Sequence, residues 1–203
     1  MTQTADAPAL VRQAWAVARR VGFPLTRDDP GHGRGSASLP GTGRFLAVLA
    51  AGCTGGRIAE LGTGVGIGTA WMSDAMPADC TLVTAEIDPA RAAAAAGLLS
   101  SDPRVRVLVG DASAVLAPFA PFDLIFCDGG LREMAGFRAL VDWLKPGGRI
   151  VMDDVTPVKA LSPDSALLQA DPKRQMFAAE ERLTWTEVVL PDLENSLLVG
   201  TRR

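Results

Sequence analysis

The fold is decided by the stretch Arg57-Ile58-Ala59-Glu60-Leu61-Gly62-Thr63-Gly64-Val65-Gly66-Ile67-Gly68-Thr69, in which an apolar run leads through an acid into alternating glycines. The glycines Gly62, Gly64 and Gly66 permit positive φ angles and let the backbone approach a ligand more closely than a Cβ would allow. Such a turn surrounds the polar groups of a ligand with main-chain N–H groups and a helix N-terminus. The stretch therefore predicts a strand, a nucleotide-binding loop and a helix, in that order.

The spacing of these glycines separates classes of ligand. A dinucleotide-binding loop has the pattern G-x-G-x-x-G, or ends in Ala, but the third position falls here on Ile67, Thr69 or Trp71. A Walker loop would need Gly-Lys followed by Ser or Thr, which the stretch lacks. The pattern that remains is E-x-G-x-G-x-G.

Length, charge and cysteine content limit the classes of function. A chain of 203 residues is long enough for one well-buried domain, and a net charge of −3 does not favour binding to nucleic acid or to anionic lipid. The longest apolar run, Phe45 to Cys53, is too short to span a bilayer, and the N-terminus lacks the basic and apolar regions of a signal peptide. We therefore expect a cytoplasmic protein with no nucleic-acid or membrane partner. The three cysteines lack metal-type spacing and are expected to be buried thiols: Cys53, Cys80 and Cys127.

The pattern divides one globular domain into an N-terminal segment, residues 1–42, and a regular part, residues 43–203. The first part contains an amphipathic helix around Pro8–Val21 and an irregular segment, Gly22–Thr42, that predicts a loop or lid. The second part alternates apolar strands with helices, which indicates a parallel sheet covered on both faces. The predicted strands are Arg57–Leu61, Thr81–Ala85, Val105–Val109, Phe122–Cys127 and Arg149–Met152, and the predicted helices are Gly43–Ala51, Gly66–Ala75, Pro89–Leu99, Ala112–Leu116 and Arg132–Leu144.

The end of the chain has a different pattern. Two β-type runs, Leu183–Leu190 and Leu197–Thr201, are joined only by Pro191–Ser196, a gap that suits an antiparallel hairpin and is too short for a crossover helix. The sequence therefore predicts an α/β fold with a doubly wound, mostly parallel, seven-stranded sheet whose last strand is reversed.

Polar residues that follow each strand are the candidate ligands, because ligands collect at the C-terminal ends of the strands in such sheets. Glu86 and Asp88 lie about 20 residues past the glycine loop, where a carboxylate can accept both ribose hydroxyls. Asp88 precedes Pro89 and an alanine-rich helix, which is typical of an N-cap. We therefore assign Glu86 to the ribose.

Three carboxylates follow the fourth and fifth strands: Asp128, Asp153 and Asp154. Neighbouring strands lie about 4.8 Å apart, so these side chains can meet over one cation. Carboxylate oxygens suit Mg²⁺ or Ca²⁺, and three unneutralised acids would be costly without water. The alternative is that the three acids cap helices or orient ligands.

Together these features resemble the class I S-adenosylmethionine (SAM) dependent methyltransferases and, within them, the catechol and caffeoyl-CoA O-methyltransferase group. The resemblance covers Gly43–Arg202 and includes Arg44-Phe45-Leu46, Pro146-Gly147-Gly148 and Val189-Leu190-Pro191. It implies a Rossmann-like fold, SAM as the cofactor, a small-molecule hydroxyl as the acceptor, and a divalent metal on Asp128, Asp153 and Asp154. A homodimer is also expected.

The resemblance also implies roles for residues of the cofactor site. Asp111 would accept from the adenine amine and Ala112 would donate its backbone N–H, unless Asp111 is only a helix N-cap. Glu60 would lie near the amino group of the methionine, or would brace the loop. The cofactor-binding residues expected in total are Glu60, Gly62, Thr63, Gly64, Gly66, Thr69, Glu86, Ile87, Asp111, Ala112 and Asp128.

The chain departs from the family pattern at three places. Asp154 replaces an asparagine of the metal pair, Leu131 replaces the lysine expected three residues after the first metal aspartate, and Gly68 replaces the serine that binds the methionine carboxylate. Thr69 or backbone N–H groups would then bind that carboxylate.

The departures leave the proton acceptor and the activity open. His32, the only histidine, could act as a base because its unperturbed pKa is near neutrality, or a carboxylate such as Asp128 could take the proton. The leading hypothesis is O-methyl transfer to a small molecule. The alternatives are a metal-independent methyltransferase and a SAM-binding protein with little or no turnover.

Overall fold

A computed structural model describes residues 6–26, 28–30, 37–128, 131, 133–166, 170–190 and 195–203. Helices and strands alternate along most of this part of the chain. The helices are α1 (Ala9–Val21), α2 (Pro40–Ala51), α3 (Ile67–Ala75), α4 (Pro89–Leu99), α5 (Ala112–Leu116), α6 (Met134–Asp142) and α7 (Pro172–Ala178). The strands are β1 (Arg57–Leu61), β2 (Thr81–Glu86), β3 (Val105–Val109), β4 (Phe122–Cys127), β5 (Leu144–Val155), β6 (Leu183–Val189) and β7 (Ser196–Arg202).

The strands form one seven-stranded sheet in the order β3-β2-β1-β4-β5-β7-β6. The first five of these strands pair in parallel, whereas β7 runs antiparallel to both β5 and β6. The predicted fold class, including the reversed last strand, is confirmed.

The side chains of β4 alternate between the two faces of the sheet and build two cores. Leu124 and Phe126 pack with α2 and α3, in a cluster that includes Leu46 and Met72. Ile125 and Cys127 belong to the cluster on the other face, which contains residues of α6 and α7. Because successive side chains of a strand point to opposite faces, this central strand is buried on both sides and reads as a continuous apolar run.

The largest differences from the sequence-based prediction at the start of an element are in α2 and β5. Helix α2 begins at Pro40 rather than Gly43, because proline is favoured in the first turn of a helix, where its missing N–H costs no hydrogen bond. Strand β5 begins at Leu144 rather than Arg149, because Leu144 pairs with Phe122 before the register shifts at the Lys145–Gly148 loop.

Helix α7 was not predicted. Asp171 caps it by accepting from the backbone N–H groups of Lys173 and Arg174, and Pro172 occupies its first turn. The three cysteines are buried thiols, as predicted. In the part of the chain that the structure describes, no helix is long and apolar enough to cross a membrane.

Candidate cofactor and acceptor site

The glycine loop between β1 and α3 adopts the conformation that its sequence predicts. The φ angles of Gly62, Gly64 and Gly66 are 94°, 54° and 92°, in the left-handed region that residues with a Cβ rarely adopt. The N–H groups of Gly62 and Thr63 donate to the carbonyl of Ala85 at 3.0 and 3.1 Å, which fixes the loop to the end of β2. The loop thus opens a cleft at the C-terminal edge of the sheet.

Glu86 connects this loop to helix α4. Its Oε2 accepts from the N–H of Gly64 at 2.8 Å, and its Oε1 accepts from the N–H of Asp88 at 3.0 Å. Only 6% of the residue is exposed, and it lines the cleft beside the glycine loop. Asp88 accepts from the N–H groups of Ala90 and Arg91, so its predicted role as the N-cap of α4 is confirmed.

Glu60 is buried under the loop and binds two hydroxyl groups. Its Oε2 accepts from Thr69 and, at 2.6 Å, from Thr84, whose hydroxyl also lies 2.5 Å from that of Thr63. Burial raises the pKa of Glu60 to about 7, because the charged carboxylate is poorly solvated there. These contacts support the second of the two roles expected for Glu60, which is to brace the loop. The hydroxyl of Thr69, expected at the methionine carboxylate, donates to Glu60.

The other oxygen of Glu60 faces the position where the family serine would stand. A Cβ on Gly68 would lie 2.5 Å from Glu60 Oε1 and 3.3 Å from the hydroxyl oxygen of Ser38. Oε1 itself is buried without a hydrogen-bond partner among the described residues. Ser38 is buried and lines the cleft, and the sequence carried no signal for it because it lies in the segment predicted to be a lid.

The outer wall of the cleft comes from the segment that follows α1. The Phe23 ring packs against Gly64, where an added Cβ would lie 3.0 Å from the ring. The guanidinium of Arg91 lies 5.1 Å from the centre of the same ring. The cleft is lined by Phe23, Ala37, Ser38, Gly62, Thr63, Gly64, Val65, Ile67, Gly68, Glu86, Arg91 and Asp128.

The remaining expected cofactor residues lie at the ends of β2 and β3. Asp111 is exposed, and its side chain accepts from the N–H groups of Ser113 and Ala114 as the N-cap of α5. Ala112 is half-buried, and Ile87 is 73% exposed directly after Glu86. An apolar side chain this exposed at a cleft edge is available to cover a ligand ring.

Asp128 follows β4 and completes the inner side of the cleft. Its backbone N–H donates to the carbonyl of Leu61 at 2.9 Å, and its Oδ2 accepts from Ser38 at 3.1 Å. Burial raises the pKa of Asp128 well above its ordinary value, and repulsion from Asp153 and Asp154 adds to this effect. The sheet thus brings the three predicted acids into electrostatic contact.

Asp153 and Asp154 form an irregular turn within β5, where the pairing with β7 shifts register. Asp154 has a φ of 58° and an exposed side chain, whereas Asp153 is buried. Oδ1 of Asp153 accepts from the side-chain amide of Asn195 and, at 2.8 Å, from the N–H of Asp154. Burial raises the pKa of Asp153 to about 6, and repulsion from Asp154 contributes.

Lys173 of α7 also reaches this turn. Its ammonium donates to the carbonyl oxygen of Asp153 at 2.7 Å and to that of Asp154 at 3.1 Å. Neither Lys173 nor Asn195 was predicted, since about 20 and 40 residues separate them from the acids. His32 lies outside the described residues. Within those residues no group of three or more His, Cys, Asp or Glu side chains is arranged to hold a metal ion.

Known proteins share this architecture. A family model described as a methyltransferase domain matches residues 59–155. A curated relative from Mycobacterium sp. strain JLS, named "Putative O-methyltransferase", is 31% identical over 179 residues, which are 82% of this chain and 79% of the relative. A catechol O-methyltransferase of Niastella koreensis is 36% identical over 131 residues, and the match spans 57% of each chain. The crystal structure of the O-methyltransferase TomG from Streptomyces achromogenes, in complex with SAM, has a TM-score of 0.75 at 25% identity, covering 98% of this chain and 92% of that one.

The sheet order with its reversed β7, and the glycine loop at the C-terminal edge, define a class I methyltransferase. Within that class the chain belongs to the O-methyltransferase family, since it matches a relative of 31% identity over 79% of the relative's length.

Proposed function

We propose that this chain transfers a methyl group from SAM to a hydroxyl oxygen of a small molecule. The observation that carries the proposal is the cleft between the positive-φ glycines, Glu86 and Asp128, which combines room for a ligand with an acid at each of two strand ends. TomG, at 25% identity, is described in complex with SAM.

The chain fits the cofactor through its backbone conformation and its buried acids. Gly64 leaves the cleft free of a Cβ, and the loop residues Gly62 to Gly66 turn their backbone toward it. Both oxygens of Glu86 already hold one backbone N–H each, and each keeps a second lone pair for the ribose hydroxyls. Asp111 and Ala112 would hold the adenine, with Ile87 against its face.

SAM supplies an electrophilic methyl group on a sulfonium when it is bound. The chain's own contribution is to hold the acceptor oxygen in line with that methyl, since orientation alone can correspond to effective molarities of about 10⁵ M or more. Asp128 is our proposed proton acceptor, because it lines the cleft and its pKa is raised toward the range that suits a general base. His32 remains a second prediction for this role.

The expected metal site does not fit the three acids as they stand. Oδ1 of Asp153 accepts from two N–H donors, and the side chain of Asp154 is exposed. An oxygen that accepts from two donors has little left to give to a cation. We therefore propose that methyl transfer is independent of Mg²⁺ and Ca²⁺.

The acceptor is proposed to be small because the cleft is lined closely by Phe23, Ser38 and Asp128. The Niastella koreensis relative is a catechol O-methyltransferase, so catechol is a reasonable first probe. The homodimer, the cytoplasmic location and the absence of a nucleic-acid partner stay predictions.

Binding of S-adenosylhomocysteine, compared with NAD, tests the proposal. At 100 times its dissociation constant, S-adenosylhomocysteine should stabilise the chain by about 2.7 kcal/mol, whereas NAD should give no shift in thermal unfolding. Transfer of radiolabelled methyl from SAM to catechol would then separate an enzyme from a SAM-binding protein. Stabilisation by NAD alone would contradict the proposed function.

A further inference from the structure

Three acids lie where β4 and β5 end, at a part of the sheet that we call the acceptor edge: Asp128, Asp153 and Asp154. Asp153 is 3% exposed and Asp128 is half-buried, and the two lie on neighbouring strands of the sheet, at the end of β4 and within β5. The resemblance places a lysine three residues after Asp128, but Leu131 stands there. A positive group from another part of the chain can therefore offset the negative charge.

The ammonium of Lys173 lies at this edge and is fixed in position. Its Nζ lies 2.7 Å from the carbonyl oxygen of Asp153 and 3.1 Å from that of Asp154. At the other end of the residue, the backbone N–H of Lys173 donates to the N-cap Asp171 at 2.9 Å. The side chain is therefore held between a helix N-terminus and the turn that carries the acids.

Asn195, directly before β7, holds the same turn. It is 3% exposed, and its amide nitrogen donates to Oδ1 of Asp153, which also accepts from the N–H of Asp154 at 2.8 Å. N–H donors and an ammonium thus bind the carbonyl and carboxylate oxygens of this turn. One of them, Oδ1 of Asp153, is an oxygen that the expected divalent cation would coordinate.

We propose that Lys173, together with Asn195, takes the place of a divalent cation at the turn of Asp153 and Asp154. The inference rests on the proposed function, since it assigns the acceptor side of the same site. Lys173 is a positioning residue: it holds the left-handed conformation of Asp154 through backbone carbonyls and keeps a fixed charge beside Asp153. Its charge lowers the free energy of the ionised acids without occupying the space of the acceptor.

Calorimetry of Mn²⁺ binding to the full chain, with and without S-adenosylhomocysteine, tests this inference. The wild type should bind Mn²⁺ weakly, whereas Lys173→Met should bind it about tenfold more tightly or better, because the acids lose their internal cation. Lys173→Arg keeps the charge and should behave like the wild type. Lys145→Met is the matched control, since Lys145 pairs with Asp123 at 2.8 Å at the opposite edge of the sheet.

Two results would overturn the inference. One is an unchanged Mn²⁺ affinity in folded Lys173→Met. The other, which needs no variant, is Mn²⁺ bound between Asp128 and Asp153 in crystals of the wild type, located by anomalous scattering. A chain that fails to bind S-adenosylhomocysteine would contradict the proposed function instead, and the Mn²⁺ comparison on the chain alone would still decide the role of Lys173.

Discussion

At the scale of single residues, Glu86 shows how one side chain can serve both the fold and a ligand. Each of its oxygens accepts from a backbone N–H, one in the glycine loop and one at the start of α4. The carboxylate is therefore oriented before any ligand arrives, and binding does not have to order it.

We expect Glu86→Gln to weaken S-adenosylhomocysteine binding by about 1.5 to 3 kcal/mol, because charge-assisted hydrogen bonds to the ribose are replaced by neutral ones. Asp88→Asn is the matched control, since asparagine caps helices as well as aspartate does. Isothermal titration calorimetry would measure both variants. Equal affinities in Glu86→Gln and the wild type would show that the ribose lies elsewhere.

Single residues also show what the sequence could predict. Glu86 and Asp88 lie two positions apart, and a neighbouring proline was enough to predict Asp88 as the N-cap, which the structure confirms. Glu86 stays the predicted ribose ligand. Ser38 and Lys173 reach the site from distant segments, and no local pattern marks them. Contacts between remote parts of a chain depend on how the elements pack, which periodicity alone does not report.

At the scale of elements, the strands were predictable because apolar runs of this length between turn signals have few alternatives. Strands β1, β3 and β4 have the predicted bounds. Helix α7 has seven residues, too few for a clear helical period, and the start of β5 depends on pairing with β4. The start of β5 is thus set by a tertiary contact.

The segment after α1 is proposed to be a lid because the Phe23 ring packs against Gly64 in the cofactor cleft. We expect Phe23→Ala to raise the dissociation rate of S-adenosylhomocysteine about tenfold, since losses of contact appear mainly in dissociation rates. Stopped-flow displacement would measure the rate.

Phe119→Ala is the matched control for this prediction. Phe119 also carries an arginine over its ring, with the guanidinium of Arg106 at 5.7 Å, but it lies away from the cleft. If both variants release the ligand at the same rate as the wild type, the segment does not act as a lid.

At the scale of the whole molecule, Glu60 couples stability to pH. It lies in β1 and accepts hydrogen bonds from hydroxyl groups of β2 and α3. Burial raises its pKa from an ordinary 4.5 to about 7, so the folded chain binds this proton more tightly than the unfolded chain does. Its contribution to stability is therefore fully present below pH 4.5 and is lost as the pH rises through 7.

We expect Glu60→Gln to remove up to about 3 kcal/mol of this pH dependence, because a neutral amide carries no ionisation cost. Urea unfolding of the cofactor-free chain between pH 5 and pH 8 would measure it. Burial also raises the pKa of Asp128 and of Asp153, so their contributions to the pH dependence have the same sign and would remain in Glu60→Gln. Glu181→Gln, at an exposed position, should leave the slope unchanged, and an identical slope in Glu60→Gln would contradict the prediction.

The position of β7 has a consequence for the order in which the molecule folds. β7 follows β6 in the chain but lies between β5 and β6 in the sheet, so β6 cannot join the sheet before β7 does. A hairpin of neighbouring strands forms in about 1 to 10 μs, faster than a pairing between remote segments. We therefore expect the β6–β7 hairpin to assemble first and to dock onto β5 as a unit, a step that brings Asn195 onto Asp153. During synthesis the cofactor half of the molecule can form early, and the acceptor edge is the last part to be completed.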